Sequence, residues 1–429
     1  MRARPAPDTL QAEGPGDPAQ GGPWDALVLG AGAAGLWAAG TAARRGRRVL
    51  VLEKNPRVGV KVLASGGGAC NLTTTLGPVE AARWFGREGE RFLGPAFRAL
   101  PPAAVRQAFE ALGVPTEVEE ALEKVWPASR RAHDVAAALL RRALEAGACV
   151  RTATPVGALQ RTPSGWRVRT PHGEVEAPHV LVAVGGRSYP RTGTTGDGYP
   201  WLAAAGHALR PQAPALVPLV VDLAWVRELA GIALEARVEV LEADGRVLLA
   251  RRRPLLFTHT GLSGPAAMDA SRWLSLPAPA SGPRRLVLDL LPEASHEALR
   301  ERIDQRLQAG GVLWAALPEA LPTRLRRALC EQAGARADTP ATGVSREVRH
   351  ALVLALKRLE LPVAGTRGWD HAEVTAGGVA LAEVDAGTMA SRVAPGLFVA
   401  GEVLDLDGPI GGFSFQAAFA TGELAGRHL

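Results

Sequence analysis

Cysteine is scarce in this 429-residue chain: Cys70, Cys149 and Cys330 lie far apart and their number is odd. No Cys-x-x-Cys pair and no Cys/His cluster at zinc spacing occurs, which argues against a disulfide framework and against a structural zinc site. A chain this long buries most of its unfolded surface and needs neither staple. Reduced cysteines point to a cytoplasmic protein. Lysine is nearly absent, with only Lys54, Lys61, Lys124 and Lys357 among 49 basic residues. Arginine therefore carries almost all of the positive charge behind the net +6. The basic runs Arg44-Arg45-Gly46-Arg47-Arg48, Arg251-Arg252-Arg253 and Arg326-Arg327 are scattered, whereas nucleic-acid binding gathers its charge on one face. They are expected to be solvated surface, with no nucleic-acid partner.

An uninterrupted hydrophobic run is missing too. Ala26–Ala43 carries no charge over a length that would suit a membrane span. Its glycines, Gly30, Gly32, Gly35 and Gly40, break the run into a short strand, a turn and an alanine-rich helix, so no membrane association is expected. Residues 1–23 are rich in Pro, Gly and Ala and lack the apolar stretch of a secretory signal, so they are read as a disordered leader. What the chain has in excess is turn-formers. Its 49 glycines and 33 prolines are about a fifth of the residues, still below the level of low-complexity disorder.

The pattern along the chain predicts a discontinuous α/β fold of two or three domains. Ala26–Leu29 and Arg48–Glu53 read as strands flanking a helix over 33–45. Further helices are expected at Pro102–Leu112 and His133–Ala146. A small antiparallel meander follows at about 149–177, ending in the apolar strand Val180–Val184. These features define the first part of a cofactor-binding domain, 24–204. An insert over 205–369 reads as β-rich to residue 290, with Val247–Arg251 and Leu255–Thr258 as separate strands, and helical over 291–360, where Arg346–Leu359 is amphipathic. Residues 370–429 return to the texture of the first part, with a strand at Leu397–Ala400 and a closing helix from Phe415. No repeat of 20–50 residues is present.

Gly30-x-Gly32-x-x-Gly35 follows a strand and opens a helix. Its glycines suit a tight turn, close approach to a pyrophosphate and close helix–strand packing. The helix N-terminus there attracts phosphate. Glu53, at the end of the next strand, is placed to accept hydrogen bonds from ribose hydroxyls. An adenine dinucleotide is the expected ligand. Only one such fingerprint occurs, the βα alternation is interrupted, and Pro395–Glu402 returns as a strand delivering the Gly401-Glu402 pair. That returning segment favours FAD over NAD.

The sequence resembles the BaiN-like flavoproteins of the two-dinucleotide-binding-domain superfamily over about residues 24–429. The likeness rests on Ala26–Gly35, Leu52-Glu53-Lys54-Asn55, Ser65–Thr73, Gly185-Gly186-x-Ser188-Tyr189-Pro190 with the following Thr192–Gly198, Phe257–Pro265, Thr375–Val379, Ala400–Asp405 and Gly411-Gly412-Phe413-x-x-Gln416. The resemblance implies a Rossmann-like FAD domain built from both ends of the chain around a β-barrel-like and helical insert. It implies that Gly30, Gly32, Ala33, Ala34, Gly35, Glu53 and Lys54 hold the ADP half. The loop Ser65, Gly66, Gly67, Gly68 and Asn71 approaches the pyrophosphate and ring, with Gly185 and Gly186 beside it. Gly401, Glu402, Gly411, Gly412, Phe413 and Gln416 close over the ribityl chain and ring. Two positions depart from the family pattern: Ala69 stands where arginine is common, and Ser414 where asparagine is usual. Both bear on substrate and redox tuning more than on dinucleotide binding.

Individual side chains leave alternatives open. Lys61 suits a phosphate or the flavin N1–O2 edge, or is simply solvated. His259, in a loop that the resemblance turns toward the cofactor, is the best histidine for proton transfer, against a structural hydrogen bond. Tyr189 lines the cavity or packs. Cys70 is read as packing, with a redox role the alternative. The functional expectation is an FAD-dependent oxidoreductase that passes hydride through flavin N5 to a small organic substrate, either as an NAD(P)H-linked reductase or as an oxidase. NAD(P)H would dock transiently, since a second Rossmann unit is missing. The alternative is a flavin-dependent RNA-modifying or RNA-binding protein, which requires Arg251–Arg253, Arg324–Arg327 and Arg346–Arg349 to converge on one face.

Overall fold

Strands with no polar residue must be covered on both faces, and the first two, Ala26–Leu29 (β1) and Val49–Leu52 (β2), are buried at every position. In the computed structural model, which describes Leu10, residues 23–278 and residues 282–429, they form the centre of a parallel sheet. Cys149–Arg151 (β3) pairs with β2, and His179–Val182 (β4) pairs with the other edge of β1. Leu397–Val399 (β5) then pairs with β4, giving the order β5-β4-β1-β2-β3. Helix α1 (Ala33–Arg44) links β1 to β2, and α2 (Ala132–Glu145) leads into β3. The last helix, α3 (Phe413–His428), packs against α1, so both ends of the sequence build one layer.

The meander is smaller than its alternation suggests. It comprises Ala158–Thr162, Gly165–Thr170 and Gly173–Ala177 only. Cys149–Arg151, expected in it, is instead the edge of the parallel sheet. A three-residue strand shortly after a packed helix emerges beside β2, and periodicity alone cannot say which sheet it joins.

By packing, the chain divides into one unit of Met1–Ala213 with Glu373–Leu429 and a second of Pro214–Ala372. The leader expected over 1–23 falls outside the described residues apart from Leu10 and Pro23. Leu10 is fully buried, and its carbonyl accepts from the Val58 N–H at 3.1 Å. Strands Leu209–Ala215 and Val374–Val379, at the exit from and the return to the first unit, pair with each other.

Close to both stands a histidine clip. His207 Nδ1 lies 3.2 Å from Glu383 and Nε2 lies 2.8 Å from Ser391 Oγ. Burial lowers the His207 pKa from its ordinary 6.5, against the pull of Glu383. A depressed histidine stabilises the fold above its unfolded value and loses that contribution as pH falls through the folded one. The melting temperature is therefore expected to drop on acidification below pH 6.5, and His207→Gln should flatten that limb. An equally steep limb in the variant would assign the acid sensitivity elsewhere.

The second unit holds a seven-stranded antiparallel sheet in the order Leu359–Leu361, Arg285–Asp289, Ala233–Leu241, Val247–Thr258, Gly261–Ser263, Leu219–Val220, Gly365–Thr366. Its two edge strands are joined by residues 362–364 alone, a reach of at most ~14 Å. Flat, seven strands would hold those edges ~29 Å apart. The sheet is therefore curled, as the barrel-like expectation requires. Val247–Arg251 and Leu255–Thr258, expected as two strands, are one, running through Pro254. Phe257 N–H bonds Ile232, so the alternation turns the proline nitrogen the other way, where the neighbouring strand pairs only from Leu256. Helices Gly264–Ser275, His296–Gln308, Thr323–Gln332 and Arg346–Lys357 also contribute to this unit's core.

Candidate functional site

The fingerprint turn is a set of three different glycines. Gly30 has φ +98°, and a Cβ there would come within 2.7 Å of the Ala183 carbonyl. A Cβ on Gly35 would sit 1.9 Å from the Gly30 carbonyl oxygen, so the turn closes only with glycine. Gly32 is the opposite case: its conformation is extended, and nothing lies within 4 Å of an added Cβ. That open space faces the start of α1, whose first turn, Ala33, Ala34 and Gly35, receives no side-chain cap. Uncapped N–H groups beside free room are the elements of an anion cradle.

Glu53 braces the turn. One carboxylate oxygen accepts from the Ala31 N–H at 2.8 Å, and the other accepts from the Asn55 backbone and side chain, both at 2.9 Å. Burial raises its pKa, opposed by these hydrogen bonds and by Lys54. Lys54 itself is held by Thr195 at 2.7 Å and Asp197 at 2.5 Å, which makes it a tie to the 192–198 loop.

Lys61 joins a tighter cluster. Its ammonium donates to Ser188 Oγ at 2.5 Å and to Glu402. Ser188 donates to the other Glu402 oxygen at 2.6 Å, and that oxygen also accepts from Thr375 N–H at 3.0 Å. Thr375 Oγ1 in turn accepts from the backbone of Arg187 and Ser188. Gly186 permits this, since a Cβ there would lie 2.2 Å from Thr375 Oγ1. Gly185, at φ +75°, turns the chain into the cluster. Ser188 and Thr375 were passed over in the sequence. The available signal was a hydroxyl residue inside the otherwise apolar strand Val374–Val379.

Ser65–Gly68 forms a short turn in which Gly66, Gly67 and Gly68 all have positive φ, and Gly66 and Gly67 are exposed. Asn71, with its amide oriented as its partners require, donates to the Val125 and Thr73 carbonyls and accepts from the Gly412 N–H at 2.9 Å. It thus ties this loop to the entrance of α3. Gly411 and Gly412 both have positive φ there, and Phe413 packs on Trp84 and Phe85. Gln416 is fully buried, accepting from Thr73 Oγ1 and donating to the Leu100 carbonyl, both at 2.7 Å. Its amide is spent on the protein, so its part in the cradle is to hold α3 in place. Gly401, at φ +78°, lies against Ala34 and donates its N–H to Thr421.

The two expected catalytic residues lie in different units. Tyr189 is half-buried at φ +55°, with the Arg191 guanidinium 5.4 Å from its ring. His259 is exposed in the turn between two strands of the second unit.

The cysteines read as packing. Burial pushes the Cys70 and Cys330 thiols up to about 12 and raises Cys149 as well. Folded protein is expected to resist iodoacetamide at about pH 8, where unfolded chain takes up three labels. Rapid labelling of Cys70 in the folded state would reopen its redox role.

The chain is a Rossmann-type flavin-dependent oxidoreductase: its parallel sheet carries a glycine turn with an uncapped helix start, and a glycine-acid pair and a second helix return to it from the far end of the sequence. The chain belongs to the family described as HI0933-like protein Rossmann domain, whose model matches residues 24–428. It is 31% identical over 407 residues to the 3-dehydro-bile acid delta(4,6)-reductase of Clostridium scindens, covering 93% of this chain and 97% of that protein. It is 29% identical over 407 residues to the ribosomal RNA dihydrouridine synthase of Escherichia coli, covering 95% and 98%. With the ribosomal RNA dihydrouridine synthase of Haemophilus influenzae it shares 30% over 404 residues, covering 92% and 96%. No helix among the described residues is long and apolar enough to cross a membrane, and no cluster there could hold a metal ion.

Proposed function

We propose that this protein holds FAD across the N-termini of α1 and α3 and uses it to saturate a carbon–carbon double bond conjugated to a carbonyl in a small organic molecule. The observation that carries the cofactor assignment is the alignment of these two helices. Gly422 lies against Ala34 and Gly426 against Ala38, so the helices run parallel. In that register Phe413 precedes the start of α1 by eight residues, or ~12 Å along the axis. Two uncapped helix starts, facing the same way at that spacing, suit a diphosphate at one and the electron-rich edge of a ring at the other. A single-site nucleotide would leave the second unused.

In this reading the first turn of α1 binds phosphate, and Glu53 takes the ribose hydroxyls. Lys61, Ser188 and Glu402 present a charged, hydrogen-bonding edge along the linker, and the Gly411–Phe413 turn covers the ring. Bound flavin supplies hydride chemistry at N5. The names of the relatives describe removal of 4,6 unsaturation from a 3-oxo bile acid and conversion of uridine to its 5,6-dihydro form. Both are saturations of an alkene conjugated to a carbonyl, which supports that reaction class here. The proton that completes such a reduction needs a donor, and Tyr189 and His259 are the residues to test, as Tyr189→Phe and His259→Ala.

A small substrate is favoured over RNA by what the arginines do. Arg252 pairs with Glu293, Arg253 with Asp269, Arg327 with Asp338 and Arg349 with Asp304, while Arg324 caps the Glu228 and Ala230 carbonyls. Charge so neutralised makes a poor phosphate track. The test is the visible spectrum of purified protein, followed by anaerobic mixing with NADH or NADPH and then with a steroidal enone or with uridine-containing ribosomal RNA. Bleaching by NADPH and reoxidation by the enone is the expected result. Reoxidation by RNA alone would select the other substrate class. Peroxide formation from a reduced donor would select an oxidase, and protein left colourless after FAD reconstitution would overturn the cofactor reading.

A further inference from the structure

A half-buried carboxylate in the helix layer, remote in sequence from the fingerprint, touches α1 twice. Glu423 on α3 accepts from Trp37 Nε1 at 2.8 Å and from Thr41 Oγ1 at 2.7 Å with one and the same oxygen. Its other oxygen accepts from Arg427 at 2.9 Å. Trp37 and Thr41 are one helical turn apart on α1, so a single carboxylate is bonded to two successive turns of its neighbour.

Arg142 from α2 closes the network. It donates to the Trp37 carbonyl at 2.7 Å and to Thr41 Oγ1 at 2.8 Å, and its guanidinium lies 4.4 Å from the Trp37 ring. Gly40 leaves it room, since a Cβ there would approach its nitrogen to 2.7 Å. The arginine is almost fully buried, and burial lowers its pKa to about 9, helped by Arg44. A buried polar network of this kind favours one arrangement by making every other leave groups unpaired.

We infer that Glu423 is a positioning residue, pinning the longitudinal register of α3 on α1 and so the separation of the two helix starts that the proposed function assigns to the diphosphate and the ring. A slip of one residue displaces the helices by ~1.5 Å, more than a hydrogen bond tolerates, and breaks both bonds at once. The backbone contacts at Gly422 and Gly426 act in the same sense, because neighbouring side chains cannot enter where glycine fits. The inference rests on FAD spanning both helix starts. Its specific content is that Glu423 matters to a ligand that uses both starts and not to one that uses a single start.

Titration of the apoprotein with FAD and, separately, with ADP tests this. Glu423→Leu is expected to weaken FAD at least about tenfold while ADP, held at α1 alone, changes less than about twofold, since one lost hydrogen bond of ~1.4 kcal/mol is a factor of ten. Glu423→Gln keeps an acceptor for Trp37 and Thr41 and should bind FAD within about threefold of wild type by the same arithmetic. Thr41→Val, which removes the hydroxyl shared by Glu423 and Arg142 with little change of volume, should show the same FAD-selective loss at about three- to tenfold and serves if Glu423→Leu does not fold. Val168→Ala, in the meander, lowers stability without touching the helices and should alter neither affinity. Parallel losses of FAD and ADP, or no loss in either variant, overturn the pin. Wild-type protein that binds ADP but not FAD overturns the two-start reading, and the pin with it.

Discussion

Alanine at Gly32 is expected to leave the apoprotein folded and melting as wild type while weakening FAD about five- to 150-fold, from the 1–3 kcal/mol that an intruding methyl group costs in a packed site. Its backbone, at φ −87° and ψ −166°, is ordinary extended chain for any residue, and an added Cβ meets no protein atom within 4 Å. Nothing in the free protein therefore opposes the substitution. The methyl group would occupy the room at the start of α1 that a phosphate needs. Gly35→Ala should behave otherwise. Its Cβ would lie 1.9 Å from the Gly30 oxygen, so it disturbs the turn itself and should lower the melting temperature as well as the affinity. Thermal melts beside flavin-fluorescence titrations separate the two. A Gly32→Ala protein that binds FAD normally would remove α1 from the phosphate site.

Gly422→Ala should destabilise the first unit by ~2 kcal/mol, the balance of two opposing effects. In an exposed helix the same change gains ~1 kcal/mol from helix propensity. Here the new Cβ falls 2.5 Å from the Ala34 carbonyl, a backbone atom that moves only if α1 and α3 part along their length. Urea denaturation reads the sign directly. A stabilised variant would show that the helices separate freely, and the close approach would then have no energetic weight.

The dinucleotide turn was legible because each of its constraints is local: a strand, three glycines, a helix and an acid follow one another within about thirty residues. The return of the chain at Gly401-Glu402 was legible for the same reason. The polar networks were not. Lys61, Ser188, Thr375 and Glu402 meet across 341 residues, and Arg142, Thr41 and Glu423 come from three separate helices. Partners so distant leave no periodic trace, and each residue alone reads as a surface charge or a stray hydroxyl. Gln416 illustrates the converse error. A conspicuous polar residue beside a glycine turn invites assignment to the ligand, yet Thr73 and Leu100 already consume its amide. The strand through Pro254 was split for a sound local reason, which gave way because the missing N–H falls where no partner strand is paired.

The order of β5-β4-β1-β2-β3 also has a consequence in time. During synthesis β4 emerges with its outer edge unsatisfied, and its partner β5 arrives only after the 214 residues between them, Pro214–Ala372 included, have been made. At ~5–20 residues per second that interval is roughly 11–43 s, long enough for the intervening unit to fold as a body of its own. An open apolar strand edge held for that long is a site for mispairing on a crowded ribosome, and is a natural client for a chaperone. Cofactor capture comes later still, when α3 lands on α1. Yield of yellow protein on expression should therefore depend on translation rate and flavin supply together, since the last helix to be made completes the first site to be encoded.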